Sequence, residues 1–463
     1  MPPSPRRRLR LAVFSPLPPQ GTGVADYMRD LLPALLALAD VDLFIDGYTP
    51  SPGSVPAGVG VYPHREFPAR RAEQPYDLPV YHVGNSPFHE YLYPYVTRFP
   101  GLVVLHDQTL HHLIAGMAEE GLSGFYFREM SYNLGLPGVQ QAFEVMMGEY
   151  DVPFYAHALN QRMLDAALGV AVHSEYLAQA LRSHAQGTPV ERIPMGIPLP
   201  PDLGPKPDLR RRLGLPETAF IVGSFGQATL QKRIPQVLNA VAGLATAGVD
   251  VHYLVVGTVA DDLDAAALTG RPSLAGRVTV TGYVDEADFQ AYLRTVDVCV
   301  NLRYPTAGET SAAALRCMAA GRPTLVTNVA ASAEFPDAAC LKLPVGPAEV
   351  RLLQRALQVL HDHPDAAIRL GAAARAYVAD AHSLTAAAAA FVAFAERLLR
   401  APVAGTNPGN ETTVASPLLK EVAHHLAALG VTARDLPVLR EVAEAVAFVE
   451  PRAVYLDGVQ ETR

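Results

Sequence analysis

The chain has 463 residues, 49% hydrophobic and 18% charged, with a formal net charge of −9. That length exceeds what one core organises and favours two large domains, while the composition is that of a packed chain rather than a disordered one. The acidic balance argues against a nucleic-acid partner, which needs a concentrated positive face. Cys299, Cys317 and Cys340 are odd in number, sit among apolar residues and lack the spacing of a zinc site or redox pair. They read as reduced core residues of a cytoplasmic protein. No apolar run reaches the roughly 18 residues of a membrane span. The cluster Arg6-Arg7-Arg8-Leu9-Arg10 reads as a solvated tail that could make a peripheral contact with an anionic membrane.

The first half alternates strands and helices. A strand over 9–15 passes through a loop holding Gly21 and Gly23 into a helix over 24–38, and a strand over 41–45 follows. Further strands are expected over 78–83, 102–105 and 169–173. Near-continuous apolar strands separated by amphipathic helices predict a parallel sheet covered on both faces, a doubly wound domain. Glycines at the head of the first helix let a ligand approach the backbone closely, although the loop lacks the third glycine of a dinucleotide fingerprint. A tight turn with no ligand explains that loop equally well.

His106 and Asp107 stand at the carboxyl end of the strand over 102–105, the edge where open α/β sheets bind ligands. There a histidine can donate a hydrogen bond to a sugar hydroxyl and an aspartate can accept one. His111 and His112 have no acidic partner at metal-ligand spacing, so no metal site is expected. His173-Ser174-Glu175 closes another strand and reads either as a contact or as an ordinary helix cap at Ser174.

The proline-rich run Pro194 to Pro207 breaks the rhythm, which puts the first domain at 1–198 and the second at 199–400. Second-domain strands are expected over 220–225, 252–256, 278–281, 298–302 and 324–327, with helices over 233–247, 286–295 and 310–320. Helical patterns then fill 348–399, with Gly371 and His382 as candidate interruptions. Two loops carry the chemistry. Gly223-Ser224-Phe225-Gly226 leads to Lys232-Arg233, two cations beside glycines, suited to a diphosphate. Leu302-Arg303-Tyr304-Pro305-Thr306-Ala307-Gly308-Glu309-Thr310-Ser311 leads a strand into a helix whose free N–H groups and dipole favour an anion, with Thr310 or Ser311 as cap. Gly257 and Gly282-Tyr283 end two strands where a nucleoside base could lie. Residues 401–463 have a linker composition followed by two short amphipathic helices, an appendage.

At these residues the chain resembles glycosyltransferase family 4, the retaining nucleotide-sugar transferases of GT-B fold, and in particular a bacterial branch with a Gly-Glu-Thr-Ser loop. The likeness runs from about Leu9 to Arg400 and is strongest from Gly223 to Asn328. It implies two facing Rossmann-like domains, the acceptor mainly on the first and the donor mainly on the second. The final helix could return to the first domain. It also implies that Lys232 contacts the donor phosphates and that His106 lies near the transferred sugar. The family commonly places two glutamates around its phosphate helix; here those positions hold Gly308 and Arg316, with Glu309 one residue late as a substitute for the first. Ser224 stands where the family has an arginine, which Arg233 or Arg303 could replace.

The expected activity is transfer of a sugar from a nucleotide diphosphate donor to a hydroxyl acceptor, glycan, lipid-linked or other, with retention and without a metal or bound cofactor. His106 and Glu309 would be the catalytic pair. Gly21, Gly23, Lys232, Arg233, Thr310 and Ser311 would hold the phosphates, and Asp107, Gly257, Gly282, Tyr283, Gly308 and Arg316 the sugar or nucleoside. In the expected mechanism the cations would take the place of a metal ion. A non-catalytic nucleotide-sugar-binding protein and an epimerase or hydrolase of the same fold remain open alternatives.

Overall fold

The computed structural model describes residues 7–119, 123–185, 187–200 and 206–401, together with 422 and 426. The expected appendage over 401–463 lies almost wholly outside the described residues. The chain divides into two units. Unit 1 takes in the residues up to Val172, Ala178–Ile193 and those from Ala389 onward, and unit 2 holds His173–Leu177 and Pro194–Ala388.

Unit 1 is built on β1 (Arg10–Phe14), β2 (Asp40–Ile45), β3 (Gly60–Pro63), β4 (Leu78–Val83), β5 (Leu102–Leu105), β6 (Gly169–Val172) and β7 (Val190–Arg192). They form one parallel sheet in the order β3-β2-β1-β4-β5-β6-β7. Every residue of β4 and β5 is buried, as a strand covered on both faces requires. Phe14 packs with Phe44, Phe67, Tyr81 and Tyr95 at centroid distances of 4.9–5.2 Å, an aromatic core at the β1 end. The first helix, Gly23–Leu36, is capped by Thr22, whose hydroxyl accepts from the Val24 N–H.

Unit 2 repeats the plan with β8 (Phe220–Phe225), β9 (Val251–Val256), β10 (Val278–Val280), β11 (Val298–Asn301), β12 (Thr324–Thr327) and β13 (Leu341–Leu343). Their order is β10-β9-β8-β11-β12-β13, again all parallel. Its core joins Val222, Tyr253 and Val255 of the sheet to Ile234, Val237 and Leu238 of the helix Ile234–Thr246.

The strands expected from sequence are all present within a residue or so of their limits. The short strands β3, β7 and β13 were not expected, because segments such as Val-Glu-Arg and Leu-Lys-Leu are only partly buried and carry no continuous apolar run. The helices Ser123–Leu134 and Leu136–Met146, inserted between β5 and β6, were also not anticipated. His382 does interrupt the C-terminal helical run, but Gly371 lies inside the helix Pro364–Ala381. A Cβ there would come within 2.2 Å of the Gly321 carbonyl oxygen, so glycine serves close packing and does not break the helix.

Residues 364–400 together have the length and apolarity of a membrane span. The chain breaks them at His382 into two helices with Ala374, Val378, Phe391 and Phe394 buried along one side and exposed residues along the other, the pattern of amphipathic helices laid against a core.

Candidate functional site

In a doubly wound sheet the order of strands reverses at one point, and the crossovers on either side leave in opposite directions, opening a crevice at the carboxyl ends. Unit 1 reverses between β1 and β4, and unit 2 between β8 and β11. In unit 2 the two loops singled out in the sequence are the ones that leave β8 and β11, so topology brings both to one crevice. They are also tied together: the Tyr304 N–H donates to the Gln231 carbonyl at 2.8 Å.

Lys232 reaches this crevice from the β8 loop. Its backbone N–H donates to Thr229 Oγ1 at 3.1 Å, and its amine lies over the Gly226 backbone, where a Cβ would come within 2.8 Å of Nζ. Burial, and secondly the neighbouring Arg303 guanidinium, push the Lys232 pKa down to about 7, against the opposing pull of Glu309. The amine is therefore poised to gain charge when an anion arrives. Arg303 pairs with Glu309 across the β11 loop, and Thr306 Oγ1 donates to Glu309 Oε2 at 2.8 Å. Burial alone would raise the Glu309 pKa, but the Arg303 charge and these hydrogen bonds hold it below the usual range, so it is an ionised carboxylate. Gly308 adopts φ +79°, the left-handed conformation that the turn before Glu309 needs.

Ser311 is the cap of the helix Ala312–Ala319. Its Oγ accepts from the Ala314 N–H at 3.2 Å and donates to Asn301 Oδ1 at 2.9 Å, tying the helix start to the end of β11. Gly257 and Gly282 pair across β9 and β10, and a Cβ at Gly257 would lie 2.5 Å from the Gly226 carbonyl oxygen. The carboxyl ends of β8, β9 and β10 thus form a bare backbone shelf, with Tyr283 73% exposed at its far end.

Two residues expected in the site have other partners. Arg233, at φ +60°, turns to Glu349, which is buried, in a paired contact that includes Nε to Oε1 at 3.2 Å. Arg316 is buried and bonds both carboxylate oxygens of Glu286 at 2.9 and 3.0 Å. Ser224, in the arginine position, is locked in the sheet: its Oγ donates to the Val300 carbonyl and accepts from the Tyr253 hydroxyl at 2.9 Å.

In unit 1, His106 and Asp107 follow β5 as expected. His106 is buried, and its Nε2 meets Nδ1 of His82, from β4, at 3.1 Å, with the Tyr27 ring edge-on at 5.6 Å. Asp107 Oδ2 accepts from the Asn85 N–H at 2.8 Å, and the Asn85 amide nitrogen meets His112 Nδ1 at the same distance. Gly21 and Gly23 lead into the helix that carries Tyr27. A Cβ at either would meet nothing within 4 Å, so the chain's own packing does not demand glycine there. His82, Tyr27, Asn85, Glu286 and Glu349 were not singled out from sequence. A histidine inside the apolar run Leu-Pro-Val-Tyr-His-Val was the one signal that could have found the first of them.

Two doubly wound α/β units of this kind define the GT-B fold. Residues 216–362 match the family model described as glycosyl transferases group 1. The 2-deoxystreptamine glucosyltransferase of Streptomyces kanamyceticus is 29% identical over 193 residues, 41% of this chain and 49% of that protein. The match thus spans about half the length of that relative. Among solved structures, sucrose-phosphate synthase from Thermosynechococcus elongatus superposes with a TM-score of 0.60 at 21% identity, covering 85% of this chain and all of that one. HepE of Anabaena, solved with UDP and glucose, superposes at 0.57 and 15% identity over 84% of this chain and all of that one. At these identities the likeness is one of fold.

Proposed function

We propose that the chain is a glycosyltransferase that moves a sugar, with retention, from a nucleoside diphosphate donor to a hydroxyl acceptor in polysaccharide or glycoconjugate synthesis, in the cytoplasm. One observation carries the reading: Lys232, the Arg303–Glu309 pair and a helix start capped by Ser311 converge at the strand-order reversal of unit 2. The family match over 216–362 falls on the same unit.

As the bond from the anomeric carbon to the diphosphate oxygen breaks, negative charge grows on the departing group. Lys232, Arg303 and the amides around Thr310 and Ser311 offset it, an arrangement of fixed charges and dipoles that needs no divalent ion. Glu309, fixed by Arg303 and Thr306, accepts from hydroxyls of the sugar, with Gly308 giving it room. The acceptor oxygen bonds to the anomeric carbon on the face that the diphosphate leaves, and its proton passes to a diphosphate oxygen. The shelf of Gly257, Gly282 and Tyr283 carries the base, and Arg316, through Glu286, the nucleoside side. Arg233 acts through Glu349 as a support of the phosphate loop. In unit 1, His106 and Asp107 take sugar or acceptor hydroxyls, and Gly21 and Gly23 leave room for the ligand.

The names of the relatives make UDP-glucose the first donor to supply and 2-deoxystreptamine a first small acceptor, beside glycan and lipid-linked acceptors. The test is proton NMR of the product formed by full-length protein in the presence of EDTA. An α-linked product from the α-configured donor supports the reading. An inverted product or a requirement for added metal overturns the mechanism. UDP-glucose consumed at full rate without acceptor identifies a hydrolase, and binding without turnover a non-catalytic protein.

A further inference from the structure

A cavity with one charged and one apolar side lies at the opposite edge of the unit 2 sheet. It has a volume of about 450 Å3, within the range of small-ligand sites. Its lining includes the start of β8 and the residues immediately before β11 and β12, so it opens at the amino ends of the strands. Lys232 leaves the carboxyl ends, about 20 Å away along a strand of six residues. The two sites share no residue.

The charges here do not balance. Lys206, Arg210 and Arg322 face one carboxylate, Asp297, which already holds three donors. It takes the Lys206 amine, Arg210 at 2.7 Å and the Ile221 N–H at 2.7 Å. Arg322 lines the cavity and donates only to the carbonyls of Ala320 and Val296, at 3.2 and 3.3 Å, with no carboxylate in ion-pair reach among the described residues. Burial first, and then the surrounding arginines against the pull of Asp297, holds both the Lys206 amine and the Arg322 guanidinium below their usual ranges. Cations crowded in this way lower their energy when an anion arrives.

The opposite wall is apolar. Leu360, Ala367 and Ile368, from the helices Glu349–Asp362 and Pro364–Ala381, face the same space, and Ile368 is 68% exposed although its neighbours form a concave surface. His361, packed edge-on against Phe220 at 5.3 Å, lies between the polar and apolar sides.

We propose that this cavity binds a phosphate monoester with an apolar body, its phosphate at Arg322 and Lys206 and its body along Leu360 and Ile368. A phosphate monoester supplies the two negative charges that the excess calls for, where a carboxylate supplies one. The group could come from a soluble organic phosphate or from a lipid headgroup, and the probes separate these sources.

Full-length protein is titrated calorimetrically with inorganic phosphate and with octyl phosphate, and its sedimentation is followed with phosphatidylcholine vesicles with and without phosphatidic acid. Octyl phosphate is expected to bind at least about tenfold more tightly than inorganic phosphate, the worth of roughly two buried methylenes. Arg322→Gln should weaken both phosphates, and Ile368→Glu, on the exposed side of its helix, should weaken octyl phosphate alone. Co-sedimentation with phosphatidic acid vesicles that both variants lose assigns the group to a lipid, and binding of octyl phosphate without co-sedimentation assigns it to a soluble ligand. Equal affinity for the two phosphates, or octyl phosphate binding unchanged in the folded Ile368→Glu variant, overturns the proposal.

Discussion

The two strand-order reversals of this molecule share a topology and differ in chemistry. At the unit 2 reversal the groups are ionisable and crowded: the Lys232 amine, whose charge burial suppresses, the Arg303 guanidinium and the ionised Glu309, with a helix start beside them. At unit 1 they are imidazoles and an amide held by hydrogen bonds, His82 to His106 at 3.1 Å and Asn85 to His112 at 2.8 Å, with Asp107 taking a backbone N–H. A cluster of cations in a partly dry crevice suits a strongly anionic ligand, whereas imidazoles, an amide and a single carboxylate suit the hydrogen bonds of hydroxyls. The same fold thus offers two kinds of surface, and the residues at the strand ends decide which.

The largest expected effect separates adjacent cations. Lys232→Ala should lower sugar transfer by about 10²–10³-fold, the scale of losing one fixed stabiliser of the leaving charge, in a protein that still folds. Arg233→Ala should act instead on stability. It leaves the buried Glu349 carboxylate without its guanidinium, a loss of about 3–5 kcal/mol readable by urea denaturation. Unchanged transfer in the first variant, or unchanged stability in the second, would erase the distinction between them.

His106→Ala tests the unit 1 side, with an expected loss of about 10²-fold in kcat/KM and little change in UDP affinity. An equal loss of UDP affinity would place the residue in donor binding instead. A smaller effect is expected at the shelf. Gly257→Ala forces a side chain into a φ of +144° and against the Gly226 carbonyl, at a cost of about 1–3 kcal/mol on thermal unfolding.

The depressed Lys232 pKa adds a pH test whose sign is fixed. Below about pH 7 the native protein carries a buried ammonium that the unfolded chain would rather solvate, so the full cost is present there. Between about 7 and the unfolded value near 10.4 the unfolded chain holds the proton and the native one does not, and native stability recovers as pH rises. Lys232→Ala should therefore melt above the wild type at pH 6, and its advantage should shrink as pH rises through that window. A constant difference across pH would show that burial does not act on this amine.

The sheet and its order of elements were legible because strands such as β4 and β9 are apolar throughout and are bounded by turns. The two unit 2 loops were legible for a different reason, since glycine, cations and a hydroxyl cap each serve a local backbone need that sequence displays. Pairings were not legible. Nothing in the order of residues says that Arg233 meets Glu349 or that Arg316 meets Glu286, because the partners lie far apart in the chain and come together only on folding. Gly371 shows the same limit from the other side, since its place in a helix depends on the Gly321 carbonyl that it packs against.

The central claim is that the Lys232 amine receives a diphosphate and is charged by it. Calorimetric titration of UDP at pH 8, repeated in buffers of different ionisation enthalpy, measures this directly. Proton uptake on binding, absent in Lys232→Ala along with most of the affinity, is the predicted result. Binding of UDP with no proton uptake and equal affinity in the variant would contradict it.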